Sequence, residues 1–93
     1  MANVKKFEFR GGDYEVNVDA ARSVKVQRGL SRISEFGYAG PVWEAMDALF
    51  CGHADEYVDA IPGDDGEPRE FGCTNDDLNA FVLAAAEVSN AKN

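Results

Sequence analysis

Histidine, cysteine and long apolar runs are scarce or absent in this chain. Its 93 residues include one histidine, His53, and two cysteines, Cys51 and Cys73, and contain no run of 18 or more apolar residues. Two cysteines this far apart form neither a disulfide framework nor a four-ligand zinc site, and the histidine supplies a third ligand without a fourth. We therefore expect no metal, no cofactor and no membrane span.

Positive charge is also scarce, and it is unevenly distributed. The chain has nine Lys or Arg residues against 17 Asp or Glu residues, and its formal net charge is -8. Residues 1–34 carry seven bases and four acids, a balance of +3, whereas residues 35–93 carry two bases and thirteen acids, a balance of -11. This balance argues against nucleic-acid binding, which needs a basic surface, and favours charge pairing within the chain or between copies.

No group of residues indicates catalysis. His53 lies outside any nucleophile, metal or proton-relay motif, and Gly11-Gly12 lacks the strand, loop and helix order of a phosphate loop. Asp65-Gly66 resembles the middle of a calcium loop, but that register places Ile61 and Gly63 where acidic ligands are required. We therefore expect that the protein is not an enzyme and binds no calcium.

The amino-terminal part predicts a β-hairpin over residues 4–18. Apolar and polar residues alternate on either side of Gly11-Gly12, and glycines tolerate the positive φ angles of tight hairpin turns. A two-residue turn at these glycines pairs Phe9 with Tyr14 and gathers the aromatic side chains on one face. Because an isolated hairpin is marginal in water, this face is expected to pack on helices.

Residues 19–34 predict a central helix with Asp19 as its amino-terminal cap. Val26, Leu30 and Ile33 recur at helical spacing on one side of it. Four cations lie beside them and form what we call the basic stripe: Arg22, Lys25, Arg28 and Arg32. We interpret the basic stripe as a surface that pairs with acidic segments or with an acidic partner.

Three further helices are predicted after residue 40. The first begins at Pro41 and the second runs from about His53 to Ile61. The third begins at Thr74, where Asp77 completes a capping box. An exposed acidic loop is predicted between the last two helices, over residues 62–73.

Together these elements predict a single α+β domain over residues 1–93, with the hairpin packed on a bundle of three to four helices. The helical part covers residues 19–90, and residues 89–93 are expected to fray because they have nothing to bury. The predicted core consists of Phe7, Phe9, Tyr14, Val26, Leu30, Leu49, Phe50, Phe81 and Val82.

Ten residues are candidates for binding a partner. Trp43 is the first, because aromatic anchors are enriched at interfaces. The apolar faces of the helix after Pro41 and of the last helix are further candidates, although both faces can instead be buried in the core. With the basic stripe, the candidates are Trp43, Met46, Phe50, Leu78, Phe81, Val82, Arg22, Lys25, Arg28 and Arg32.

The order of several stretches carries a family resemblance. A basic start over residues 5–16 leads into residues 21–26, then into residues 45–52 and 55–58, and an acidic loop precedes a last helix ending Ala91-Lys92-Asn93. This order resembles that of the small tail assembly chaperones of long-tailed bacteriophages with non-contractile tails. The resemblance covers most of the chain and includes no catalytic motif.

The resemblance implies a non-enzymatic chaperone that binds the long helical tape measure protein and brings tail tube subunits to it. The residues leave a second function open, that of a small acidic inhibitor that mimics nucleic acid or blocks a host enzyme. Two features also predict self-association: the opposite net charges of residues 1–34 and 35–93, and a hairpin edge that other elements cover only in part. Because the amino terminus lacks an apolar signal core, we expect the protein to lie in the cytoplasm. If the protein is viral, this is the cytoplasm of the host cell.

Overall fold

The computed structural model describes residues 3–90. An antiparallel hairpin of two strands, β1 (Val4–Phe9) and β2 (Gly12–Asn17), comes first. Six helices follow it: α1 (Val18–Ala21), α2 (Val24–Ser31), α3 (Ile33–Phe36), α4 (Pro41–Leu49), α5 (Ala54–Ala60) and α6 (Asn75–Asn90). The predicted α+β class with an amino-terminal hairpin is confirmed, and within the described range the helical part is divided into more pieces than expected.

The predicted turn and register of the hairpin are wrong. Arg10 and Gly11 make the turn, with φ angles of 50° and 86°. Tyr14 therefore pairs with Phe7 and not with Phe9. Positive φ at two successive residues matches the right-handed twist of the two strands, so this turn closes the hairpin without splaying it.

One close contact explains the observed register. The ring of Tyr14 covers Gly12, where a Cβ atom would lie 2.7 Å from the tyrosine hydroxyl oxygen. The second glycine is therefore needed for close approach, not for the turn. Charge pairing does not decide the register, because the observed pairing of Lys6 with Glu15 is accompanied by a like-charge pair, Glu8 opposite Asp13.

The predicted continuous helix over residues 19–34 is wrong, because this segment forms α1, α2 and α3. Asn17 caps α1, and its side-chain oxygen accepts a hydrogen bond from a first-turn amide at 3.1 Å. Ser23 caps α2 in the same way at 3.3 Å. Asp19 lies inside the first turn of α1 and is not its cap. A serine that caps a helix is itself non-helical, so Ser23 interrupts the segment.

The later helices follow their local signals more closely. Helix α4 begins at Pro41, as predicted. At the start of α6, the Thr74 amide donates to an Asp77 carboxylate oxygen at 2.9 Å, and the Asp77 amide donates to the Thr74 hydroxyl at 3.2 Å. The predicted capping box is therefore confirmed. Ser89 is fully buried and donates to the Ala85 carbonyl, so the predicted fraying is wrong there, and residues 91–93 lie outside the described range.

The core lies between the hairpin and helices α4, α5 and α6, with Phe81 at its centre. The Phe81 ring centroid lies 4.8 Å from that of Tyr14 and 4.9 Å from that of Phe50. It lies 5.3 Å from the rings of both Phe7 and Phe9. Tilted and edge-to-face pairs at these distances add to the free energy of apolar burial. No helix within residues 3–90 has both the length and the apolar character needed to cross a bilayer.

Helix α2 contributes less to the core than expected. Of the nine predicted core residues, five are buried and four are only partly buried: Phe9, Val26, Leu30 and Val82. No residue of α2 is fully buried, because this helix packs mainly on α4 and only slightly on the rest of the domain. The apolar face of α2 is therefore only partly covered by the rest of the domain.

Candidate functional site

Four of the predicted partner-binding residues lie in the core. Met46, Phe50 and Phe81 are fully buried, and Leu78 is nearly so. Since their side chains pack against the hairpin and against one another, they present no surface to a partner in the folded chain. Trp43 and Val82 are half-buried, and all four residues of the basic stripe are exposed.

An apolar cleft opens between α2, α3, α4 and α6. Its volume is about 320 Å³, and its apolar lining consists of Leu30, Ile33, Val42, Val82 and Leu83. Leu83 is 63% exposed. The Tyr38 hydroxyl donates a hydrogen bond to the Asn79 side-chain oxygen at the polar side of the cleft. We refer to this feature as the apolar cleft.

Helix α2 approaches α4 closely at Gly29. A Cβ atom on Gly29 would lie 2.9 Å from the Ala45 Cβ and 3.2 Å from the Pro41 carbonyl oxygen, so the two helices touch at this glycine. Leu30 and Ile33 follow Gly29 in the chain, are only partly buried, and face the cleft together with Val42 of α4. The predicted core side of α2 is therefore one wall of an open cleft.

A second groove runs along the same two helices, and we call it the basic groove. Its volume is about 430 Å³. It combines three exposed cations with three partly or fully buried apolar residues: Lys25, Arg28, Arg32, Val26, Pro41 and Ala45. The basic groove thus has an apolar part beside a positively charged part.

The basic stripe is only partly neutralised by the rest of the chain. Arg32 lies 3.4 Å from the Glu35 carboxylate and over the Phe36 ring, and Arg22 donates to the Ser89 carbonyl oxygen at 3.0 Å. Lys25 and Arg28 have no ion pair within residues 3–90. Arg22 has no ion pair within that range either, because a carbonyl oxygen carries no net charge, so three of the four cations remain available to an acidic partner.

No protein-family model, curated protein or solved structure matches this chain. The functional proposal therefore depends on the apolar cleft and on the resemblance in the order of the chain's parts. The apolar cleft contains one predicted partner-binding residue, Val82, and the basic groove contains three, Lys25, Arg28 and Arg32. Leu83 was not predicted, because it lies outside the apolar face of α6 that is formed by Leu78, Phe81 and Val82.

Asp77 joins three parts of the fold through an ion-pair network. This carboxylate, 3% exposed, accepts hydrogen bonds from Arg69 Nε at 2.6 Å and from Arg10 Nη1 at 2.7 Å. The hydrogen bond from Arg69, which is the largest cause, and the hydrogen bond from Arg10 hold the pKa of Asp77 well below its usual range. Arg10 also donates to the Pro62 carbonyl oxygen at 3.0 Å. The network ties the hairpin turn and the acidic loop to the start of α6, a role that sequence reasoning missed.

The described thiol and imidazole groups offer no activated nucleophile. Burial raises the pKa of both Cys51 and Cys73, so these thiols stay protonated at neutral pH. His53 is half-buried, and its Nδ1 lies 3.5 Å from the Glu56 carboxylate. Within residues 3–90, no three His, Cys, Asp or Glu side chains are placed to hold a metal ion.

Proposed function

We propose that this protein is a chaperone of bacteriophage tail assembly and that its apolar cleft binds helical segments of the tape measure protein. The observation that carries this proposal is the apolar cleft, in which Leu83 is exposed beside the half-buried Leu30 and Ile33. A groove of this kind suits the apolar face of an amphipathic helix, whose side chains recur every three or four residues.

The chemistry of a tape measure protein explains the need for such a cleft. A long helix with an apolar face aggregates in water until the tail tube encloses it. A partner that covers this face prevents aggregation only if the complex itself stays soluble. The net charge of -8 on 93 residues supplies the repulsion that keeps such complexes apart.

The proposed action is binding without catalysis in the host cytoplasm, where tails assemble. The tail tube protein is the second partner that the resemblance implies. In this proposal the tape measure protein binds in the apolar cleft, and no surface is assigned to the tail tube protein.

A second candidate function is that of an acidic inhibitor, or nucleic-acid mimic, acting on a host enzyme. The exposed acidic side chains of α5 and of the loop that follows favour it: Asp55, Glu56, Asp59, Asp64, Asp65, Glu67 and Glu70. The two candidates depend on different surfaces. The chaperone requires the apolar cleft, whereas the mimic requires the acidic face and tolerates changes in the cleft.

Co-expression with a tape-measure fragment tests the proposal. The fragment is an apolar helical segment of the tape measure protein encoded in the same genome, and the measurement is its soluble yield. We expect the parent chain to raise the yield and Leu83→Asp to abolish most of the gain, because the new carboxylate must be desolvated in the cleft. Val24→Asp is the matched control, since Val24 is 73% exposed and lies outside the cleft.

Three results would contradict the proposal. These are a genome that encodes no tape measure protein, a parent chain that does not raise the yield, and a Leu83→Asp chain that rescues the fragment as well as Val24→Asp does. Each variant is first checked for a cooperative thermal transition, so that loss of folding is not taken for loss of binding. Loss of rescue on neutralising the acids of α5, with Leu83→Asp still active, would move the binding surface from the apolar cleft to the acidic face.

A further inference from the structure

Phe71 is the most exposed of the large apolar side chains within residues 3–90. Its ring is 93% exposed. It lies in a turn closed by a hydrogen bond from the Gly72 amide to the Arg69 carbonyl oxygen at 3.2 Å, and Gly72 has a φ of 82°. We call residues 69–72 the Phe71 turn. A phenylalanine ring exposed to water contributes none of the large free energy that its burial would add to stability. A domain with so small a core would gain from burying it.

The backbone of the Phe71 turn is held in place. Arg69 forms two hydrogen bonds with the buried Asp77 carboxylate, at 2.6 and 3.1 Å. Before the turn, the Gly63 amide donates to the Glu67 carbonyl oxygen at 2.9 Å and closes the preceding part of the loop. A side chain presented from a fixed backbone loses less conformational entropy on binding than one on a free loop.

The surroundings of Phe71 define the chemistry of its partner. Asp65, Glu67 and Glu70 are all exposed, and they share a shallow depression with the phenylalanine ring. Arg69 also lines this depression, but its guanidinium group is paired with Asp77 and lies 3.7 Å from Asp64. A complementary surface must therefore combine an apolar socket with a positively charged rim.

The basic groove of this same chain has that combination. Val26, Pro41 and Ala45 supply apolar surface, and Lys25 and Arg28 supply positive charge that no ion pair within residues 3–90 neutralises. An arginine at the rim also gains from contact with the face of an aromatic ring. Glu44 is the acidic residue of the lining, so three cations face one carboxylate there.

We propose that the Phe71 turn of one copy inserts into the basic groove of a second copy. The turn belongs to the loop before α6 and the groove to α2 and α4, so the two copies contribute different surfaces. Such a contact is heterologous: each pair keeps one free turn and one free groove, and further copies add to form a chain or a ring. The contact uses neither Leu83 nor the apolar cleft, so it does not depend on the proposed function.

Sedimentation analysis with complementary variants tests this contact. The parent chain is expected to form species larger than dimers as its concentration rises, more strongly at about 0.05 M than at about 0.5 M salt, where screening is stronger. Phe71→Ala removes the inserted ring, and Arg28→Glu reverses the rim charge. Each is expected to weaken association by about 30-fold, the effect of removing an interface hot spot.

Mixing the two variants gives the decisive result. The Phe71→Ala chain keeps an intact groove, and the Arg28→Glu chain keeps an intact turn, so the mixture is expected to form a one-to-one dimer and nothing larger. Val24→Ala is the matched control, because it removes an exposed apolar side chain outside both surfaces and should associate like the parent. A parent chain that stays monomeric at millimolar concentration and low salt would overturn the proposal. So would a Phe71→Ala chain that associates normally, or a mixture that stays monomeric.

Discussion

Replacing Gly29 with alanine tests the close contact between α2 and α4, the two helices that contribute to both grooves. By intrinsic propensity alone, glycine to alanine inside a helix should stabilise the protein by about 0.8–1.0 kcal/mol. The structure predicts the opposite sign, because the new Cβ would lie 2.9 Å from the Ala45 Cβ and 3.2 Å from the Pro41 carbonyl oxygen. Neither atom is the end of a flexible side chain, so the helices must move apart.

The net effect follows from the two opposing contributions. Overpacking a close contact costs about 1–3 kcal/mol, so after the gain in propensity we expect Gly29→Ala to lower the free energy of unfolding by about 1 kcal/mol. For a domain of 93 residues this corresponds to a fall in Tm of about 4–8 °C. Thermal unfolding followed by circular dichroism measures the shift, with Ser31→Ala on the exposed side of α2 as a control that should not lower Tm.

A double-mutant cycle separates the clash from other effects of the substitution. Ala45→Gly removes the atom that the new Cβ would meet, so its cost should be smaller in the Gly29→Ala background than in the parent. The reasoning is refuted if Gly29→Ala raises Tm, or if the two substitutions add without coupling.

Three further predictions follow from local chemistry. Thr74→Ala should lower the free energy of unfolding by about 1 kcal/mol in urea titrations because it removes the α6 cap, while Thr74→Ser should retain most of the stability. Because Arg69 and Arg10 lower the pKa of Asp77, its stabilising effect is present above the ordinary carboxyl pKa and is lost as the pH falls. The Tm values of the parent and of Asp77→Asn should therefore differ at neutral pH and approach each other as the pH drops below about 4, the ordinary carboxyl pKa, and a constant difference would contradict this. Burial raises the pKa of Cys51 and Cys73, so both thiols should be alkylated more slowly than free cysteine at about pH 7.5, as mass spectrometry can follow.

Features set by neighbouring residues were predictable from the sequence. Pro41 at the first turn of α4 and the reciprocal bonds between Thr74 and Asp77 are local, and both occur as expected. The alternation on either side of Gly11-Gly12 likewise predicted the hairpin and the α+β class. In each case the residues that decide the structure lie within a few positions of one another.

Features set by distant contacts were not predictable in the same way. The hairpin register depends on the Tyr14 ring covering Gly12, a three-dimensional fit that alternation does not encode. The network at Asp77 joins side chains 67 and 8 positions away, and a capping motif gives no sign of it.

The apolar cleft was missed for a related reason. Helical spacing shows which residues share a face of a helix, but not how many neighbouring elements cover that face. Leu30 therefore looked like a core residue, although α2 packs mainly on α4 and Leu30 is only partly buried.

Nuclear magnetic resonance titration tests the central claim most directly. The isotope-labelled chain is titrated with a synthetic peptide from an apolar helical segment of the tape measure protein encoded in the same genome. Binding in the apolar cleft predicts saturable shifts of the amide signals of Leu30, Ile33 and Leu83, with the Val24 signal unchanged. No shifts at millimolar peptide, or shifts confined to the acidic face of α5 and the following loop, would contradict the claim.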